Sequence, residues 1–179
     1  ADVSLIRDQL PIVLISDQID GPYCRQLHRP TIVLPRFLLD GDRDDLRNVL
    51  LHEIEHLRTN HPLQLFMQQL VQVLCWFHPM VWSVGWRAEL TREFVCDDAA
   101  AESGTNIAGY LRTLLHIAER CERAGHASAI RFGRARSEIV IRAQRLVKLA
   151  KDPVLGQNHR MLGRRAATAL LLATTCLLS

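Results

Sequence analysis

His52-Glu53-Ile54-Glu55-His56 places two imidazoles and a carboxylate within five residues. On a helix, positions i and i+4 stack on one face, so His52 and His56 can grip a single metal ion. Glu53 is turned about 100° away, off the ligand line but close enough to reach a water on that metal. Zinc lowers the pKa of such a water to about 7, and a neighbouring carboxylate can take its proton during attack on a peptide carbonyl. The segment therefore reads as a hydrolytic Zn2+ site with Glu53 as the catalytic base. Two surface histidines sharing a helix face would give the same five letters. The helical context favours the metal. Leu46, Leu50, Ile54 and Leu57 form an apolar stripe, and His52 and His56 lie on a different face beside Asp45 and Thr59, so they do not read as ordinary core histidines.

Catalytic zinc usually keeps three protein ligands and one open position. The five cysteines (Cys24, Cys75, Cys96, Cys121, Cys176) are scattered without a C-x-x-C pair, which points to neither a zinc ribbon nor a disulfide framework. An odd count without paired spacing fits a reducing compartment. Carboxylates downstream are the better source. Glu93 and Asp97 in Arg92-Glu93-Phe94-Val95-Cys96-Asp97 are again i and i+4. One helix could thus present a ligand and, a turn later, a second carboxylate that hydrogen-bonds a ligand histidine and fixes its tautomer. Glu89, one turn earlier, is the rival ligand. Each of these acids taken singly reads as a solvated helix face.

The ordered set of motifs resembles a known family, the bacterial β-lactam sensor-transducer metallopeptidases of the BlaR/MecR type. The resemblance is carried by H-E-x-x-H, then Trp76-Phe77-His78-Pro79-Met80-Val81-Trp82, then Arg-Glu-x-x-Cys-Asp. Gly21-Pro22-Tyr23 and Arg29-Pro30-Thr31-Ile32-Val33-Leu34-Pro35 match the approach to the zinc helix. It runs from about Val13 to the C-terminus. It implies a gluzincin site with His52, His56 and Glu93 as zinc ligands, Glu53 as general base and Asp97 behind a ligand. Two departures stand out: His78-Pro79 where many relatives have Asn-Pro, and His61 where they have an acidic residue. Neither falls in the zinc set. The resemblance further implies regulated cleavage of a cytoplasmic protein, a transcriptional repressor or the protein itself.

The elements that must position these groups read as α+β. Ile12-Val13-Leu14-Ile15 and Thr31-Ile32-Val33-Leu34 are β-rich runs separated by Gly21-Pro22, so a small N-terminal sheet should precede the helices. Its open edge could hold a peptide as an added strand. Asp42 can cap the zinc helix, with Asp44 and Asp45 favourable in its first turn. The helix of Glu93 should stop near Gly104. Ile107, Tyr110, Leu111, Leu114, Leu115, Ala118 and Cys121 recur at helical spacing until Gly125, which predicts an amphipathic helix used for core packing. Gly125 to Gly133 reads as a loop, followed by a helix from Ser137 to before Pro153. That loop and Arg131–Arg136 are the expected sites of self-cleavage, reading as polar and unstructured.

With 179 residues and 48% hydrophobic content, the chain can bury one sizeable core, and no linker or repeat divides it. Residues 1–160 read as one zincin-like peptidase domain facing the cytoplasm. The net charge is only +3, yet residues 120–165 hold twelve Arg and Lys against Glu122, Glu138 and Asp152. This block runs through Arg160, Arg164 and Arg165 into the apolar residues 166–179. Basic residues held back before an apolar run are the mark of a transmembrane helix leaving the cytoplasm. Those residues would rise about 21 Å, short of the roughly 30 Å of hydrocarbon. The span is read as cut off and the chain as a piece of a longer, multi-pass membrane protein. A buried C-terminal core helix is the competing reading. Residues 62–86 are a second membrane candidate, but Gln64, Gln68, Gln69 and Gln72 give a polar stripe and His78-Pro79 breaks the run. Either an amphipathic or re-entrant hairpin with Trp76, Trp82 and Trp86 at headgroup level, or a soluble hairpin with a tryptophan core, fits.

A membrane-anchored zinc endopeptidase acting on a protein or peptide is the reading adopted. The alternative is a non-hydrolytic zinc-containing membrane signalling module, which would have no use for Glu53. Direct nucleic-acid binding rests only on the basic block and is undercut by the adjoining apolar run.

Overall fold

A computed structural model describes residues 10–26, 28–104, 106–124 and 129–151. Three strands, β1 (Ile12–Ser16), β2 (Tyr23–Gln26) and β3 (Pro30–Pro35), are followed by a 3-10 turn at Arg36–Leu38. Five helices complete the order: α1 (Arg43–Arg58), α2 (His61–Leu74), α3 (Pro79–Ser103), α4 (Ile107–Ala124) and α5 (Ala129–Lys151). The protein is mainly helical with a small sheet, as the α+β reading expected. The sheet order is β1-β3-β2, with β1 parallel and β2 antiparallel to β3. Strand β2 was not legible in the sequence, because after Tyr23 its residues Cys24-Arg25-Gln26 include none of the β-branched or aromatic types that mark strands. All of β3 is buried. Ile32 and Leu34 meet Leu38, and Val49 and Leu57 of α1, in one core.

The Asp42 carboxylate caps α1 by accepting the Asp44 N–H at 3.0 Å. Its buried face differs from the expected stripe. Ile54 is 43% exposed, whereas Asn48, His52 and Glu53 are buried beside Val49. Helices α3 and α4 and strand β2 offer this polar face partners, so burying it leaves few unmet hydrogen bonds. At the end of α1, Asn60 takes the left-handed conformation (φ 55°) that Asn tolerates better than most residues, and the chain turns into α2.

Helix α3 ends at Gly104, as expected. A Cβ there would lie 2.3 Å from Asn48 Oδ1, so only glycine lets the end of α3 pass α1 this closely. A second core joins Ala100 and Ala101 of α3, Tyr110 of α4 and Leu146 of α5. Helix α4 spans the predicted range, burying Tyr110 and Leu114 and leaving Leu115 51% exposed.

Two expectations are corrected. Helix α5 begins at Ala129 instead of Ser137. The Ala- and Arg-rich sequence outweighs Gly133, whose cost in a helix is about 1 kcal/mol. Arg131–Arg136 is therefore helical, not the unstructured self-cleavage segment; residues 125–128 lie outside the described residues. The helix is described as far as Lys151, and the predicted stop before Pro153 lies outside the described residues. The tryptophan-cored version of the 62–86 hairpin also fails, since Trp76 is 69% and Trp82 55% exposed. Residues 166–179 lie outside the described residues, among which no helix is long and apolar enough to cross a membrane.

Candidate metal centre

Helical geometry stacks His52 and His56 one turn apart on α1, and their Nε2 atoms lie 3.2 Å apart. Glu93 comes from α3, which crosses α1, and turns one carboxylate oxygen to each histidine. Oε2 is 3.3 Å from His52 Nε2 and Oε1 is 3.4 Å from His56 Nε2. One donor atom from each of the three lies within 4.8 Å of the others. Glu89 is not in this group. Its Oε1 accepts the Gln68 side-chain N–H at 2.9 Å, on the α2 side.

The groups behind the histidines determine which nitrogen faces the centre. The Tyr110 hydroxyl donates to Asp97 Oδ1 at 2.7 Å. Its one proton is then committed, so at 2.9 Å it accepts from His52 Nδ1–H. That tautomer leaves the Nε2 lone pair facing His56 and Glu93. Asp97 itself is 3.4 Å from His52 Nδ1 and fully buried, so Tyr110 relays its hold on the ring. Behind the other ring, His61 Nδ1 lies 3.0 Å from His56 Nδ1, and Cys96 Sγ is 3.5 Å from His61 Nδ1. If His56 Nδ1–H donates to His61, its Nε2 is likewise free to act as a donor atom toward the centre. His56, His61 and Cys96 also form a second group close enough to share an ion, through the opposite nitrogen of His56.

Arg142 of α5 closes the site. Its Nε donates to Asp97 Oδ2 at 2.9 Å and its Nη1 lies 2.9 Å from Glu93 Oε2. Burial works to raise the Glu93 pKa, but the His52 hydrogen bond and the Arg142 charge hold it well below the usual carboxylate range. Burial lowers His56 to about 4, keeping the imidazole neutral, as a ligand must be. Glu53 is shifted the other way: burial raises it. Cys24 of β2 donates its thiol to this carboxyl and is itself pushed up to about 12, mainly by burial.

Of the residues singled out in the sequence, His52, His56, Glu93, Glu53 and Asp97 thus gather in one place. Tyr110, Arg142, His61 and Cys24 join them without having been assigned there. Tyr110 read as core packing and Arg142 as one member of a basic block. Their spacing from the motif carries no local signal, because the tertiary fold alone brings α4 and β2 to α1 and α5 to α3. We expect Asp97→Ala and His61→Leu each to weaken metal binding about 10–100-fold, the usual effect of losing the partner behind a ligand. Competition with a chromophoric chelator measures this, and unchanged affinity in either variant would remove that residue from the support of the site.

Two imidazoles, a carboxylate from a second helix and a buried glutamate beside them make a constellation of the metallopeptidase class. Residues 5–149 match the family described as BlaR1 peptidase M56, and the chain belongs to that family. Among curated proteins it is similar to the regulatory protein BlaR1 of Bacillus licheniformis, with 30% identity over 95 residues. The matched stretch covers 53% of this chain and 16% of that relative. No solved structure matches the chain.

Proposed function

We propose that the chain is the peptidase portion of a membrane-anchored zinc metalloendopeptidase of the sensor-transducer type, with a gluzincin site. The observation that carries this reading is the convergence of His52, His56 and Glu93 from two helices. Their three electron-pair donors face one another within 4.8 Å, an arrangement that a divalent cation would neutralise. The donor chemistry fits: two neutral imidazoles and one carboxylate suit Zn2+. When bound, zinc supplies Lewis acidity toward a carbonyl oxygen and acidifies water.

The chain's own residues supply the rest. Glu53 is the base. Its carboxyl, buried beside the two histidines and raised in pKa by that burial, is placed to take a proton from water and return it to the leaving amine. Cys24, far too weak an acid to release its proton, fixes the carboxyl by hydrogen bonding. Asp97 acts through Tyr110 to orient His52. Strand β2 is an edge of the sheet and carries Cys24 against Glu53. A peptide added along β2 would run past the base, with backbone hydrogen bonds for affinity and little demand on side-chain identity. The substrate in this reading is a cytoplasmic protein, a transcriptional repressor or the protein's own chain, and the domain faces the cytoplasm.

Metal analysis of paired variants tests the ligand set. Glu93→Gln should lose the zinc that wild type retains, and Glu89→Gln should keep it. The reverse pattern would make Glu89 the ligand. Mass spectrometry of a candidate repressor and of the full-length protein, with and without a chelator, tests the substrate. A cut that persists after zinc is removed is not made by this site.

A further inference from the structure

We propose that the hairpin of α2 and the first turns of α3, residues 62–86, is a wedge seated in one leaflet of a lipid bilayer that holds the α1 site at the membrane surface. The proposal deepens the membrane-anchored reading above and rests on it only for what lies at the hairpin's base.

The hairpin is packed inside out for a protein in water. Phe66, Val73, Leu74, Trp76, Phe77 and Met80 are each 61–70% exposed. Contiguous exposed apolar surface on this scale marks an interaction site. The polar groups are inside instead. Gln68 Nε2 donates to Gly85 O at 3.2 Å and to Glu89 Oε1 at 2.9 Å, and Gln68 Oε1 accepts from Arg92 at 2.7 Å. Gln72 packs so close to Gly85 that a Cβ there would lie 2.1 Å from its Nε2. Small residues at a close helix crossing, with polar side chains bonded across it, are the pattern of helices packed in lipid. At the tip, the exposed Trp82 indole N–H donates to Trp76 O at 3.0 Å, meeting a backbone carbonyl that lipid could not satisfy. The exposed polar side chains, Gln64, Gln69, His78 and Ser83, include no Lys, Arg, Asp or Glu, and no such residue occurs between Pro62 and Trp86. Charges resume at Arg87, Glu89 and Arg92, where α3 returns to the site.

A bilayer fits this surface better than a second copy of the chain. Met80 and Trp82, both exposed, are two residues apart and so project about 200° apart around α3. A protein partner would cover one side, whereas acyl chains cover both. The 14 residues of α2 rise about 21 Å, less than the roughly 30 Å of hydrocarbon. The segment therefore enters and returns on the same side. A peptidase held in this way reaches substrates lying within a short distance of the membrane surface.

The chain's three tryptophans, Trp76, Trp82 and Trp86, all lie in the hairpin, so intrinsic fluorescence reports on it without labels. The experiment mixes the full chain with vesicles of phosphatidylcholine and phosphatidylglycerol carrying brominated acyl chains. We expect a blue shift, quenching by the bromines and loss of quenching by aqueous acrylamide. Val73→Asp, at a side chain 70% exposed and hence free to change without disturbing the fold, should lower partitioning roughly 100-fold. Vesicle-bound chain whose tryptophans stay open to acrylamide and unaffected by bromine would overturn the wedge. So would a lipid-free dimer that shields them. Zinc content and Glu53-dependent peptide hydrolysis, measured in detergent, report on the peptidase reading separately. Val73→Asp should leave both unchanged, so failure of the wedge and failure of the peptidase are told apart.

Discussion

Glu53→Gln is expected to bind zinc as wild type does and to lose peptide hydrolysis by about 10²–10⁴-fold, the usual worth of a positioned general base. The amide is nearly isosteric with the carboxyl and can still accept a hydrogen bond from Cys24. It cannot take up a proton. Burial of Glu53 raises its pKa, which matches the carboxyl to water as a proton donor better than an exposed glutamate would. Metal content and turnover of a peptide, measured side by side on the two proteins, check the prediction. Equal turnover would remove Glu53 from the mechanism and leave a zinc-containing signalling module as the better description. Loss of metal together with activity would instead show that the carboxylate is needed to build the site.

The second large effect is expected at Arg142. Its guanidinium faces fully buried Asp97 and partly buried Glu93, and Arg142→Met leaves both without their cation. Breaking a buried ion pair from one side costs roughly 3–5 kcal/mol, so the metal-free variant should unfold at clearly lower urea concentration than wild type. Arg142→Lys keeps the charge but not the planar fork and should fall between them. Added zinc should recover more stability in Arg142→Met than in wild type, since the ion supplies positive charge beside the same carboxylates. Chelator-treated protein is required for the comparison. Identical unfolding of wild type and Arg142→Met without metal would show that the pair contributes nothing to the fold.

The centre of this protein was legible wherever chemistry depends on helical spacing. His52, His56 and Glu53 lie within one turn and a half, so any helix through them sets their relative directions. Glu93 and Asp97 share a helix in the same way. The choice between Glu89 and Glu93 was open in the sequence, because both lie on α3 one turn apart; packing of α3 against α1 turns Glu93 toward the histidines and Glu89 toward Gln68. The cap at Asp42 and the stop at Gly104 were also readable, since each acts through neighbouring backbone groups.

What the tertiary structure decided lies farther apart along the chain. Tyr110 reaches His52 across 58 positions and Arg142 reaches Asp97 across 45, distances at which periodicity says nothing about contact. The basic block looked uniform by composition, yet Arg142 and Arg145 turn inward to Asp97 and Asp98. The four glutamines of residues 62–86 read as a polar stripe with no assigned direction. Only the crossing at Gly85 shows that Gln68 and Gln72 face the partner helix and the apolar residues face out. Sequence spacing determined which groups can act together on one helix, because the backbone repeat is local and fixed. Which helix brings the counter-charge, the ring partner and the polar seam was decided by packing, because those contacts join faces that no local repeat relates.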